Sequence, residues 1–354
     1  MVIGYAAMGE QFHPSDLVRW SKQAEDAGFG AVMVSDHFHP WVPSQGQSPF
    51  AWALMGAIGQ ATSKVTFGPG VTPPGYRYHP AIVAQAAATL EAMYPGRFYL
   101  GLGAGEALNE HIVGGYWPEA PQRLDRLMDS IDIIKKLFSG KVVKHKSEFF
   151  NLESARLYTM PPKPPPIYVA TSGPVMSERT GRLCDGIITV GAAEERISNL
   201  IARFEKGARE AGKDPSTMPR LMQIHVSWAD SREAAVEQAV REWPTGGMPF
   251  PKQDIRSPED FEAMRRLVRP EDFKNRVLMT PDLDEHVAEI QKYVDFGFTD
   301  IYIHQVGRDQ GAFIDAYAKH VLPKVKWPAS PSAHPAPDAE TVRRGDAETA
   351  RRAG

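Results

Sequence analysis

Eight short apolar runs of strand length recur along the chain with helical patterns between them, and this alternation restricts the possible folds more than any other feature. The runs are Val2 to Tyr5, Ala31 to Ser35, Val65 to Gly68, Phe98 to Gly101, Ile167 to Ala170, Gly186 to Val190, Leu221 to Ser227 and Asp300 to His304. Continuous apolar runs of this length are expected of parallel strands covered on both faces. The clearest helix between them has Leu124, Leu127, Met128, Ile131, Ile134 and Phe138 at spacings of three and four, a single face of a 3.6-residue period. Ser15 to Ala27 reads as another helix, with Ser15 as N-cap and Gly28 as its stop. Eight such units favour an α/β protein of the closed (β/α)8 TIM-barrel type over an open doubly wound sheet.

One barrel domain is expected over residues 1–327, with insertions at about 141–166 and 243–281. The first reads as a short hairpin followed by the proline-rich Met160 to Pro166. The second starts with loop-like Pro-Thr-Gly-Gly-Met-Pro-Phe-Pro, continues in charged helical turns, and is read as a substrate lid. In residues 328–354, Ser, Ala, Pro and charged residues replace the apolar periodicity, which predicts a disordered tail. The 40 basic and 43 acidic residues leave a formal charge of −3, so no general pull toward nucleic acid or an anionic membrane is expected. Cys184 is the only cysteine, which excludes a disulfide framework and fits a cytoplasmic protein. Cys184 itself reads as a small buried hydrophobe. The N-terminus lacks the basic-then-apolar pattern of a signal peptide, and no stretch is long and apolar enough to span a bilayer.

In a barrel the residues just after each strand share one rim, where function collects. These are Glu10 and Gln11 after the first strand, Asp36, His37 and Trp41 after the second, Gly68-Pro-Gly-Val-Thr-Pro-Pro after the third, and Glu106 and Asn109 after the fourth. Pro40 prevents the second strand from continuing as a central ladder member. Taken alone, this segment is equally compatible with a helix-capping Asp and a loop histidine. Gly101-x-Gly-x-Gly lacks the final spacing and the later acid of a dinucleotide motif, so a Rossmann reading is rejected. Gly96 and Gly114-Gly115 read as turn residues, and His79, before Pro80, as a loop or N-cap residue. His304 is either a mouth residue or a satisfied core histidine. His37-Phe-His39 looks like the start of a metal site in a barrel hydrolase, but Thr171, Ser172, Thr189 and Val190 supply no further ligands, so no metal is expected.

Several segments together carry a resemblance: Gly9-Glu-Gln-Phe, Val34-Ser-Asp-His-Phe-His-Pro-Trp, Gly75-Tyr-Arg-Tyr-His-Pro-Ala, Gly103-Ala-Gly-Glu-Ala-Leu-Asn-Glu and Thr171-Ser-Gly-Pro. They resemble the deazaflavin (coenzyme F420)-dependent glucose-6-phosphate dehydrogenase family of the luciferase-like barrel superfamily, over about Val2 to Lys326. The resemblance implies an oxidoreductase that moves a hydride from a secondary alcohol to the deazaflavin, and a homodimer. It gives His37 as the base, Trp41 as the aromatic at the reacting centre and Glu106 as the acid. Asp36, Val71, Thr72, Asn109, Thr171, Ser172 and Gly173 match coenzyme positions, with a cis peptide at Gly70-Val71, and Glu10 matches a substrate-side carboxylate. The chemistry suits these residue types, because histidine as a type titrates closest to neutral pH. Where the sugar-phosphate enzymes carry basic residues this chain has Gly191-Ala192-Ala193 and Thr299, with Lys274 as a remaining substrate-binding cation. An uncharged secondary alcohol is therefore expected in preference to glucose 6-phosphate. A sugar-6-phosphate dehydrogenase, an FMN-dependent luciferase-like monooxygenase and, least favoured, a metal-dependent barrel hydrolase are the alternatives.

Overall fold

The computed structural model describes residues 1–328. Its strands are β1 (Val2–Ala7), β2 (Ala31–Val34), β3 (Thr66–Pro69), β4 (Leu100–Leu102), β5 (Val143–Lys146), β6 (Asn151–Ala155), β7 (Ile167–Ala170), β8 (Gly186–Val190), β9 (Arg220–Ser227), β10 (Val277–Met279) and β11 (Asp300–Gln305). Hydrogen-bonded neighbours follow the order β3-β2-β1-β11-β9-β8-β7-β4, all parallel. The parallel bridges Phe67 to Phe98 and Thr72 to Leu102 join the two ends of that path. The eight expected strands are thus the eight staves of a nearly closed barrel, with ends shifted by a residue or two. Gly101 allows the closure, since a Cβ there would lie 2.0 Å from the Pro69 carbonyl oxygen.

Alternation along the staves sorts side chains into two layers. Ala6, Met8, Met33, Tyr99, Ile188, Leu221 and Tyr302 meet inside the barrel. Val32, Val34, Met222, Ile224, Val226, Ile301 and Ile303 face outward into the helical layer. Tyr99 lies 5.3 Å from Tyr168 and 6.4 Å from Tyr302 between ring centroids, so tyrosines fill the interior below the mouth.

The helix predicted over 15–27 spans Pro14–Asp26, and its N-cap is His13 instead of Ser15. Pro14 is pre-set for the first helical position, which leaves the His13 ring to accept from Ser15 N at 3.3 Å. Gly28 follows the helix with φ of +98°. His79 caps the helix Pro80–Met93 in the same way. Cys184 is fully buried, and burial pushes its thiol up to about 12.

The first insertion contains the antiparallel pair β5 and β6. The second holds the short turn Pro244–Gly246, the helix Pro258–Arg265, the turn Pro270–Phe273 and β10, a strand with no sequence counterpart in the expectations. β10 pairs with His225 to Ser227 of β9, past the point where β8 stops pairing at Gln223, and so extends the rim. The tail expected to be disordered lies, from residue 329 on, outside the described residues. Among the described residues no helix is long and apolar enough to cross a membrane.

Candidate active site

The loop after β2 is built to hold His37 and Trp41. Its backbone amides at Phe38 and His39 donate to the Asn109 side-chain oxygen at 2.9 and 3.1 Å, and those at Trp41 and Val42 donate to Gln45 Oε1. Asn109, expected from resemblance at the coenzyme, is therefore occupied through its oxygen in fixing this loop. Glu10 is fully buried beneath His37. Ser35 Oγ accepts from Gly9 N at 2.8 Å and donates to Glu10 Oε2 at 2.9 Å. The other carboxylate oxygen, Oε1, stands 3.2 Å from His37 Nδ1. Their alignment falls short of a hydrogen bond, and both atoms are buried without another partner. Glu10, expected as a substrate-side carboxylate, thus faces Ser35 through one oxygen and His37 through the other.

Trp41 packs 5.0 Å from the His37 ring and meets Phe261 of the second insertion edge-on at 5.3 Å. The insertion also brings Lys252 to the cluster, with Nζ 5.7 Å from the Trp41 ring centroid and 2.8 Å from the Thr245 carbonyl oxygen to which it donates. The next residue accepts from Ala107 N through its carbonyl, which fastens the insertion to the loop that carries Glu106. The second insertion therefore packs against this cluster, and its cation there is Lys252. Lys274 is exposed at the end of the turn Pro270–Phe273.

Burial pushes the Glu106 carboxyl up, His37 and Lys252 oppose the shift, and Glu10 adds to it. Burial pushes the Lys252 ammonium down, with Glu106 opposing and Arg276 adding. Glu106 Oε2 is enclosed with no hydrogen-bond partner. A carboxyl raised in the folded chain favours folding below its ordinary value of 4.5 and loses that contribution as pH rises through the folded value. Glu106→Gln is therefore expected to be more stable relative to the parent at pH 8 than at about pH 4.5, compared by urea midpoints. An equal difference at both values would contradict a raised Glu106.

A second buried network lies beside the first. Asp36 accepts from Thr72 Oγ1 at 2.6 Å, Tyr78 OH at 3.1 Å and Arg77 Nη2 at 3.2 Å. Arg77 also donates to Glu110 through Nε at 2.9 Å and through its backbone N at 3.0 Å. Asp36 and Thr72 are thus paired with each other, next to Val71 and the cis peptide Gly70-Val71. Thr171, Ser172 and Gly173 form the loop after β7 that leads into the helix Pro174–Leu183. Beside them Ser172, Thr189, Gly191, Ala192 and Arg196 line a cleft of about 150 Å³.

His39 turns away from His37: its Nδ1 lies 2.8 Å from the Leu108 carbonyl and its ring stacks on His111. The metal geometry suggested by His37-Phe-His39 does not form. Among the described residues the ligand types that converge are Asp129, Asp132 and His145, between an outer helix and the β5-β6 hairpin. His304 is buried at the mouth against His225 and Trp243. Ser35, Arg77, Glu110 and His225 join the cluster without a separate expectation from the sequence, and Lys252 is the one of the insertion's candidate cations, Lys252, Arg256, Arg265, Arg266 and Lys274, that lies over Trp41. Ser35, Arg77 and Glu110 lie inside the quoted segments, whereas His225 had no local signal.

A family model described as luciferase-like monooxygenase matches residues 1–300. The chain is 36% identical over 326 residues to the F420-dependent glucose-6-phosphate dehydrogenase of Microbacterium testaceum (strain StLB037), covering 91% of this chain and 97% of that protein. It is similar to the solved structure of an F420-dependent secondary alcohol dehydrogenase in complex with an F420-acetone adduct, with a TM-score of 0.87, 38% identity and coverage of 92% and 98% of the two chains. The fold is shared with the coenzyme F420-dependent tetrahydromethanopterin reductase of Methanopyrus kandleri, at a TM-score of 0.76, 21% identity and coverage of 92% and 99%. On these grounds the chain belongs to the luciferase-like family of barrel oxidoreductases, in the group of the F420-dependent glucose-6-phosphate dehydrogenases.

Proposed function

We propose that the protein is an F420-dependent dehydrogenase that oxidises the CH-OH group of a secondary alcohol to a ketone. The observation that carries this reading is the convergence of the Glu10-His37 pair and Glu106, whose Oε2 is enclosed without a partner, around Trp41 at the barrel mouth. An enclosed atom such as Glu106 Oε2 costs free energy unless a ligand uses it, and groups shifted as Glu106 and Lys252 are cluster where chemistry is done. The residues present fit the coenzyme. The cleft beside Ser172 and Arg196, at the start of a helix, suits an anionic phosphodiester tail, and Thr171, Ser172 and Gly173 would hold it there, with Val71 and Thr72 along the wall. When bound, the deazaflavin supplies a two-electron hydride acceptor.

The chain's own groups handle the protons. Glu10 Oε1 lies against His37 Nδ1, so this nitrogen carries the proton and Nε2 is left as the base that takes the substrate hydroxyl proton. Glu10 acts through His37 as a positioning residue. Loss of the hydroxyl proton concentrates charge on oxygen and favours departure of the hydride from carbon. Glu106, held toward its protonated form by burial, keeps a proton at Oε2 available to the reduced coenzyme. Trp41, fixed by Phe261 and Gln45, forms an apolar wall of the reacting centre.

The proposed substrate is uncharged, because Ala192-Ala193 at the end of β8 offer no cation there; Thr299, just before β11 and bonded to the Arg220 backbone at the start of β9, lies at the opposite end of the barrel and has no bearing on the mouth. A second reading, a sugar 6-phosphate, is favoured by Lys252 with Arg276 beside it. Fluorescence titration is expected to show tighter binding of oxidised deazaflavin than of FMN or nicotinamide cofactors; the reverse order would overturn the proposal in favour of a flavin monooxygenase. Loss of deazaflavin absorbance across a substrate panel is expected to be faster with cyclic and terpenoid secondary alcohols than with glucose 6-phosphate. Saturable oxidation of glucose 6-phosphate at low concentration, lost in Lys252→Met, would establish the second reading instead.

A further inference from the structure

A chain of hydrogen bonds at the mouth fixes the protonation of two histidines that the proposed reaction does not use. Gln11 Nε2 donates to the Val306 carbonyl oxygen at 2.9 Å. A carbonyl can only accept, so the amide nitrogen must face it and Gln11 Oε1 must point the other way. There it lies 3.4 Å from His304 Nε2, which accordingly carries a proton. In a neutral imidazole His304 Nδ1 is then bare. It is 2.8 Å from His225 Nδ1, so that nitrogen donates. His225 is left with a bare Nε2, an acceptor with no hydrogen-bond partner among the described residues.

That atom belongs to the mouth. His225 shares the inward face of β9 with Leu221 and Gln223, pairs across the sheet with His304, and packs on Trp243, which itself meets Trp41. His225 is only partly buried, unlike His304. Both rings are held neutral: burial and the Lys252 charge push His225 down to about 4, and burial together with His225 pushes His304 well below its ordinary value. The same Lys252 charge disfavours an ammonium as the donor to His225.

We propose that His225 determines specificity by accepting, at Nε2, a hydrogen bond from a second hydroxyl of the substrate, so that the preferred alcohol is a diol or a more highly hydroxylated ring. The inference rests on the alcohol-dehydrogenase reading and names the substrate class within it. It pairs the acceptor with a neutral donor, and a site built to bond a hydroxyl rejects the analogue that lacks it.

The test uses the deazaflavin-loaded protein with cyclohexanol and with 1,2-, 1,3- and 1,4-cyclohexanediols. At least one diol is expected to exceed cyclohexanol in kcat/KM by about tenfold, the weight of one hydrogen bond. His225→Phe is expected to bring that ratio to near one, and His225→Gln, whose amide oxygen still accepts, to keep it within about threefold of the parent. No preferred diol, or a ratio unchanged in His225→Phe, overturns the proposal. Nitrogen-15 NMR of the histidines supplies a readout independent of turnover: His225 protonated at Nδ1 and His304 at Nε2 are expected, and Gln11→Leu should disturb both. His225 protonated at Nε2 overturns the relay whatever the kinetics show. If none of the alcohols is oxidised while the tautomers are as derived, the dehydrogenase reading has failed and the substrate assignment with it, but the acceptor stands.

Discussion

His37→Ala is expected to slow single-turnover reduction of bound deazaflavin by alcohol roughly 10²- to 10⁴-fold, the range for loss of a positioned general base. Coenzyme affinity should stay within about threefold, because the loop that carries residue 37 is held by Asn109, Gln45 and Ser48 through backbone groups that the substitution leaves in place. The cavity left by the ring is open to the mouth and admits water, so the defect is expected to shrink as pH rises and hydroxide substitutes for the imidazole. Stopped-flow absorbance after mixing the loaded protein with alcohol measures the step directly. A rate within a few-fold of the parent would mean that another group takes the hydroxyl proton. A variant that no longer binds deazaflavin would instead place His37 among the coenzyme contacts.

The barrel was readable because its signal is repeated. Each of the eight staves has a bare apolar run between turn residues, and errors at single ends, such as Ser35 for Val34 or His304 for Gln305, do not alter the strand order. β10 escaped because Val277–Met279 is too short to show a period and pairs only at the rim of β9. His13 was missed as a cap because Ser15 is the better cap by type, yet Pro14 takes the first helical position. At the site, His37, Trp41 and Glu106 were legible from their place after strands and from the family segments. The partners that set their behaviour were not. Lys252 lies far from Trp41 in sequence and reaches it only through the packing of Phe261 and the bond from Ala107 N to residue 253. The Gln11-His304-His225 relay likewise joins three staves, and a single sequence carries no term for such contacts.

Arg77→Met is expected to destabilise the protein by about 3–5 kcal/mol, the cost of removing one partner from a buried ion pair. Methionine reproduces the aliphatic stem of Arg77 and removes its guanidinium, so the loss is chiefly electrostatic. Its guanidinium lies between Asp36 and Glu110, with side-chain exposures of 5%, 1% and 0% for the three groups, and it also donates to the Asp36 carbonyl at 2.9 Å. Both carboxylates would remain out of water with only Thr72, Tyr78 and backbone donors. By contrast Arg19→Met, which removes an exposed pair to Asp16, should cost under about 1 kcal/mol and serves as control. The deficit should also depend on pH. Burial already pushes the Glu110 carboxyl up, and Arg77 is the main group that opposes this. Without Arg77 the folded value rises further, and a raised carboxyl contributes stability that is present at low pH and lost as pH rises. Urea unfolding should therefore show a smaller deficit near pH 5 than at pH 8. Because Asp36 adjoins His37, the variant should also lose turnover under conditions where it remains folded. A deficit no larger than that of Arg19→Met at neutral pH would show that Asp36 and Glu110 reach water or another cation when Arg77 is gone, and that the network is not what fixes the loop after β2.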